Sequence, residues 1–175
     1  FFEDARINQL GYNELEQVKA NNLRRLSAKE LAAHQSEGAL LLDTRPVLVF
    51  EKAFIKNSIS IALDGQFAIW VGTLIDIRQP LVVVVESAAK AEEAIIRLAR
   101  VGYEAVLGYW IFDAEEMAAA QLEADKLESL TAEAAAEAFA AGLPLLDVRK
   151  PGEFDSAHAE GALHISLQEL PQRFA

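Results

Sequence analysis

Three sets of residues in this chain could do chemistry. Asp43 and Arg45 flank Thr44, and Asp147 and Arg149 flank Val148 at an offset of 104 residues. A carboxylate and a guanidinium two positions apart could form a catalytic pair. The structural reading is the stronger one, because both triplets close apolar runs, where charge-assisted hydrogen bonds tie a strand end to its loops. Glu86 follows Leu81–Val85 directly. It could be a general base or a ligand in a new site; the simpler reading is a strand-end acid beside a helix N-terminus, where negative charge is favoured. The third set is the histidines, His34, His158 and His164. No two have metal-ligand spacing, so no metal site is expected in the chain. His34 falls on a polar helix face and His164 in a strand with its ring outward. The cysteine count is zero, which removes disulfides, thiolate metal sites and thiol nucleophiles.

The repeated triplet belongs to a longer duplication. Leu26-Ser27-Ala28 and Leu130-Thr131-Ala132 open two copies, and without gaps Leu41-Leu42 falls on Leu145-Leu146, Phe50 on Phe154, Ala53 on Ala157, Ile61 on Ile165 and Leu63 on Leu167. About a dozen of the 38 positions from Leu26 to Leu63 are identical. Identity that keeps hydrophobic phase over that length reads as a tandem domain duplication. The second copy has 46 residues to run in, so the chain is expected to stop inside a domain.

Bulk properties exclude several classes. The chain has 175 residues, 52% of them hydrophobic and 25% charged, as in an ordinary globular protein. Its net charge of −11 argues against nucleic acid and anionic membrane as partners. The longest apolar run, Leu81–Val85, is far too short to span a bilayer, and the Phe1-Phe2 start leads into Glu3-Asp4 without the basic region of a secretory signal. A cytoplasmic location is the expectation.

The elements that must position these residues alternate. Asn13–Ala20 suits a short helix with Leu15 and Val18 on one face. Ser27 reads as an N-cap for a helix that Gly38 ends. Ala39–Leu42 suits a buried strand, Ser58–Leu63 alternates like a strand, Asp64-Gly65 is a turn, and Phe67–Ile75 is apolar and helical. Leu81–Val85 is the clearest strand, Ala88–Val101 an amphipathic helix closed by Gly102, and Ala105–Leu107 another short strand. Asp113–Leu127, acidic and Ala-rich, predicts a solvated helix bridging the copies. Helix, strand (Leu143–Val148) and strand (Leu163–Ile165) then recur. Strands alternating with helices predict an α/β domain with a mainly parallel sheet. Phe67, Trp70 and Trp110 fit either a core or a protein interface.

The second copy reads Leu146-Asp147-Val148-Arg149-Lys150-Pro151-Gly152-Glu153-Phe154, then Ala157-His158-Ala159-Glu160-Gly161-Ala162, then His164-Ile165. This resembles the first half of a rhodanese domain. The first copy keeps Asp43, Arg45 and Phe50, and resembles the family's second half in Leu81–Val85, the helix from Ala88, and Val101-Gly102-Tyr103-Glu104-Ala105-Val106. Leu63–Gly72 is similar to the first rhodanese repeat of bacterial proteins in which a metallo-β-lactamase-fold module precedes two rhodanese repeats. Ile7–Tyr12 and Asn21–Arg24 resemble the seam after that module.

The resemblance implies a rhodanese-like three-layer fold followed by the first half of a second copy. It divides the chain into a linker or tail of a preceding module at 1–25, an inactive repeat at 26–112, an inter-repeat helix at 113–129 and the N-terminal half of a second repeat at 130–175. An active member carries its sulfur on a cysteine just after a central strand, in a loop around a helix N-terminus. Glu86 takes that place here, the loop glycine is replaced by Ala89, and the usual arginine is missing. No catalytic residue is therefore assigned in the first repeat, and Asp43, Arg45, Asp147, Arg149 and His158 are assigned as structural motif residues. The expected function is an inactive scaffold or interaction module of a persulfide- or thiosulfate-processing enzyme. The alternatives are part of a working sulfurtransferase whose cysteine lies in the rest of the second repeat, or a free-standing regulatory domain that binds a protein. No cofactor is expected in this chain, with iron or zinc confined to a preceding module. Expected partners are neighbouring modules of the same polypeptide or a second copy of the chain. A half repeat leaves sheet edges open, so it should pack on the first repeat or associate between chains.

Overall fold

The computed structural model describes residues 12–173. The stretch Ile7–Gly11 of the expected seam lies outside them, as does the side chain of Leu15. Two compact units result, one ending at Glu128 and one beginning at Ser129.

The first unit is built on a four-stranded parallel sheet of order β3-β1-β4-β5, with β1 Leu40–Asp43, β3 Ser58–Ser60, β4 Leu81–Val85 and β5 Val106–Ile111. The valine run is apolar at every position because β4 is covered on both faces. Val83 and Val85 join Leu42 in a core with Phe67, Val71, Ala91, Ala94, Ile95 and Leu98, while Val82 and Val84 join Leu41 in a second core with Leu26, Leu31, Trp110 and Met117. The result is three layers, α/β with a mainly parallel central sheet, as expected.

Local signals explain the helices. Helix α1 is Tyr12–Asn22 and α2 is Ala28–Ser36. Ser27 accepts from the Glu30 N–H while the Glu30 carboxylate accepts from the Ser27 N–H, a capping box. Gly38, at φ +95°, ends the turn that follows. Helix α4, Phe67–Leu74, buries Phe67 and Val71. Helix α5, Ala88–Arg100, is capped by Ser87 and buries Ala91, Ala94, Ile95, Leu98 and Ala99 along one stripe. Among the described residues no helix is long and apolar enough to cross a membrane.

Several elements differ from expectation. A one-turn helix α3, Val47–Phe50, and a two-residue strand β2, Phe54–Ile55, were not foreseen. The helix expected over Asp113–Leu127 is only α6, Ala114–Ala119; Gln121 then takes φ +57°, and β6, Ala124–Asp125, pairs antiparallel with β2. Met117 is the only buried residue of α6, so little apolar area favours a longer helix. The bonds of Ala124 and Asp125 to β2, the Lys56–Glu123 ion pair at 2.8 Å and the Leu127 N–H to the Glu51 carbonyl favour an extended chain. Strand β5 runs on to Ile111, beyond the expected Leu107, whereas β3 ends at Ser60.

Residues 12–25, expected with the rest of 1–25 as linker or tail, pack on this unit. Lys19 pairs with Glu92 at 2.6 Å and the buried Asn22 amide donates to the Glu104 carbonyl. Arg24 and Leu26 bond the edge of β5 through Tyr109, at 2.9 and 2.8 Å. That close approach needs Gly108, whose φ is +149°: a Cβ there would stand 2.6 Å from the Arg24 carbonyl oxygen and 2.9 Å from the Leu26 side chain.

The second unit holds α7 Ala132–Ala140, β7 Leu146–Asp147, α8 Pro151–Ser156, β8 Leu163–His164 and α9 Leu170–Arg173, with β7 and β8 parallel. Its strands are shorter than the expected Leu143–Val148 and Leu163–Ile165. The duplication is geometric as well as sequential. Leu146↔Leu163 and Asp147↔His164 repeat Leu42↔Ile59 and Asp43↔Ser60; Gly142 and Gly161, at φ +98° and +86°, repeat Gly38 and Asn57 at +95° and +66°.

Gly108→Ala is expected to destabilise the first unit by about 1–3 kcal/mol through forced displacement of the Arg24–Leu26 segment. The denaturant midpoint measures it, with Gly72→Ala, where a Cβ meets open space, as the control.

Candidate functional site

Parallel α/β sheets place their clefts at the carboxyl ends of the strands. Here β1 ends in Asp43-Thr44-Arg45 and β4 ends at Glu86. Between them opens a cleft of about 100 Å³ lined by Thr44, Pro46, Ala62, Leu63, Asp64, Glu86 and Lys90.

Each wall is fixed from within the fold. Asp43 and Arg45 are 1% and 2% exposed. Arg45 donates from Nε at 2.9 Å and Nη2 at 2.7 Å to the Asp43 carboxylate, and from Nη2 to the Ala53 carbonyl at 2.9 Å. Its guanidinium carbon stands 3.6 Å from the centre of the Phe112 ring. Thr44 donates its hydroxyl to the Val84 carbonyl at 3.0 Å, tying β1 to β4 at the floor. Arg97, whose role the sequence reading missed, donates to the carbonyls of Leu63 and Gly65 and holds the Leu63–Gly65 wall against α5. Its signal was an arginine set between Ile96 and the buried Leu98 on an amphipathic helix.

Glu86 is exposed, and Ser87 caps α5 immediately after it. Lys90 is bound to Glu93 at 2.9 Å. The cleft therefore presents two carboxylates, Asp64 and Glu86, against one ammonium that already has an anionic partner. Its lining holds neither histidine nor thiol, and the Thr44 proton is committed to a backbone carbonyl. An anion entering would meet net negative charge.

The remaining candidates lie elsewhere. His34 sits 3.6 Å from the Glu37 carboxylate at the end of α2. Phe67 and Trp110 are core residues, 1% and 0% exposed, and Trp70 packs partly buried against the core. The Trp110 ring N–H donates to Glu116 at 3.0 Å. Among the described residues no group of three or more His, Cys, Asp or Glu could hold a metal ion.

The second unit rebuilds the Asp–Arg corner bond for bond. Arg149 donates to the Asp147 carboxylate and, at 2.8 Å, to the Ala157 carbonyl, as Arg45 does to Ala53. Phe154 stacks on His158 with centroids 3.8 Å apart where Phe50 stacks on Phe54 at 4.2 Å. The His158 ring also bonds the Phe154 carbonyl through Nδ1 at 2.8 Å, closing its turn. His164, expected to face outward, is half-buried: it stacks on Phe154 at 4.2 Å and bonds the Arg149 carbonyl through Nε2 at 2.9 Å. The apolar area of the Phe154 ring outweighs exposure of the imidazole.

This β1–cleft–β4–α5 arrangement coincides with a match to the family model described as Rhodanese-like domain, over residues 27–109. Residues 27–109 form a rhodanese-like domain. No curated protein sequence matches the chain. Among solved structures, the Alr3790 protein from Anabaena sp. superposes with TM-score 0.51 at 12% identity, over 59% of this chain and 82% of that one. EanB superposes with TM-score 0.51 at 15% identity, over 83% of this chain but 41% of its own. A thiosulfate sulfurtransferase from Pseudomonas aeruginosa aligns at 20% identity with TM-score 0.45, over 91% of this chain and 37% of that one. Likeness at these identities extends to the fold. The cleft between β1 and β4 lies within the matched residues, and none of its lining residues carries a thiol.

The Asp147–Arg149 pair carries a pH signature. Hydrogen bonds from the Arg149 side chain and backbone lower the Asp147 carboxyl from 3.8 to about 2. A depressed carboxyl stabilises the fold above its unfolded value and loses that contribution as pH falls from about 3.8 through about 2. NMR titration of the Asp147 carboxyl should show this low midpoint, and Arg149→Gln should return it toward the ordinary aspartate range.

Proposed function

We propose that the rhodanese-like domain of this chain does not transfer sulfur and serves as a scaffold or interaction module within a larger persulfide- or thiosulfate-processing protein. The observation that carries this reading is Glu86. It stands at the end of β4, at the mouth of the cleft, where the family's chemistry needs a thiolate. A carboxylate cannot accept a sulfane sulfur as a persulfide. Together with Asp64 it also disfavours thiosulfate and other anions in the cleft. The absence of cysteine from all 175 residues leaves the chain no other sulfur carrier. The similarity of Leu63–Gly72 and Ile7–Tyr12 to metallo-β-lactamase-fold and rhodanese fusions supports the larger setting. In that setting the domain would fix the geometry between a metal-dependent module and a further rhodanese repeat.

A second reading is favoured by the second unit. Its Asp147–Arg149 corner and its β7–β8 register repeat the first unit, so a completed copy could carry a working cysteine at the loop equivalent to Glu86. Both readings leave these 175 residues, which hold no cysteine, inactive alone; they differ in what a completed second copy does.

Thiosulfate-to-cyanide sulfur transfer tests the inactivity of the chain, and the same assay on a polypeptide that completes the second copy separates the two readings. The chain should show no thiocyanate formation above the uncatalysed background, and turnover of even about one per second would contradict the proposal. Glu86→Cys alone should also remain inactive, because Ala89 replaces the loop glycine and the usual arginine is missing; substantial activity from that single change would show the loop to be otherwise preorganised.

A further inference from the structure

Helix α4 carries no charged residue, and the core of the first unit takes only one of its faces. Phe67 and Val71 are buried, while Ile69 is 63% exposed and Gly72 and Thr73 lie open beside it. These three and Ala68 line a groove of about 470 Å³ that also takes in Val101 and Tyr103. The Tyr103 hydroxyl donates to the Ile75 carbonyl at 2.6 Å and pins the end of α4, so the groove is fixed in the folded unit. It lies wholly within the residues matched to the family, and that unit's own four-stranded sheet backs it.

Two features of this face are not required by the fold. A glycine inside a helix costs stability, and its use is to let another surface come close. Gly108 is needed by Arg24 and Leu26, but a Cβ at Gly72 would meet no atom within 4 Å. The duplication supplies the second. Ala68 and Ile69 fall, at the offset of 104, on Gln172 and Arg173, both exposed in α9. A polar surface therefore serves at these positions of the fold, and the apolar one in the first unit marks a surface that packs against another.

The face is complementary to itself. Ile69 is a knob, Gly72 is a hole, and both lie equally far from the middle of α4, between Trp70 and Val71. An antiparallel copy of the helix brings Ile69 of each chain over Gly72 of the other, and Ala68 over Thr73. Uncharged surface then meets uncharged surface. The same arrangement sets Asp64, before the helix, near Arg78, after it, whose side chain is paired with Asp76 and still 86% exposed. We propose that the open face of α4 is a twofold interface between two copies of this chain, packed as an antiparallel helix pair. Such a contact uses the same residues on both sides and closes on itself. It stands independently of the sulfur chemistry.

The oligomeric state tests it. In about 0.15 M salt, which screens the net charge of −11, light scattering of the unmodified chain at about 100 µM should give twice the 19.2 kDa of one chain. Ile69→Arg should shift that mass to the monomer. Gly72→Gln should do the same, while its denaturant midpoint, read at about 1 µM, does not fall, because glutamine is the better helix former and its Cβ meets open space within the unit. Loss of the dimer by that variant is then not loss of the fold. Leu48→Arg, at a residue 65% exposed on α3, should leave the dimer intact. A monomeric mass for the unmodified chain, a dimer that survives both α4 changes, or equal loss of the dimer with Leu48→Arg overturns the proposal and leaves the groove to another polypeptide.

Discussion

The ion pair between Asp43 and Arg45 fixes the end of the sheet from which everything else in the first unit is hung. Both groups are almost fully buried, and their desolvation is offset by the bonds from Nε and Nη2 to the carboxylate and from Nη2 to the Ala53 carbonyl. The guanidinium reaches the carboxylate, the Ala53 carbonyl and the face of Phe112, so one side chain joins the end of β1, the approach to β2 and the segment beyond β5. Among the described residues that are not exposed, no buried side-chain polar atom lacks a partner. The same corner recurs at Asp147 and Arg149 with less burial; the Asp147 side chain is 12% and the Arg149 side chain 46% exposed. Its internal hydrogen bonds therefore form under a thinner covering layer. Burial comes from the sheet and determines how costly it is to break the pair.

From that corner the cleft follows. Thr44 and Glu86 are neighbours because β1 and β4 are, and Arg97 closes the third wall by holding the Leu63–Gly65 backbone. The cleft is set by a buried strand, a short connection and a capped helix of thirteen residues. Carboxylates at Asp64 and Glu86 and a lysine tied to Glu93 give it net negative charge.

Much of this was legible in the sequence. The valine run, the Ser27 N-cap and the stripe of α5 each carry a local signal that the tertiary structure reinforces. The Asp-x-Arg triplets were legible because their chemistry is short range: two residues apart, they bond the same way whether buried or not. Elements defined by distant partners were not. Strand β6 lies in an Ala- and Glu-rich stretch whose propensity favours helix, and only its pairing with Phe54 and Ile55, some seventy residues earlier, makes it extended. The role of Arg97 was hidden for the same reason, since its acceptors are backbone carbonyls that any sequence would supply. His164 was misjudged because strand alternation says nothing of an aromatic neighbour ten residues earlier.

The most direct measurement is amide chemical-shift mapping of the chain during titration with thiosulfate, at constant ionic strength. A cleft that has lost sulfur chemistry should show no saturable shifts at Thr44, Asp64, Glu86, Ser87 or Lys90. Saturable shifts confined to those residues would mean that the cleft still recognises the anion, and would contradict the reading of this domain as a scaffold.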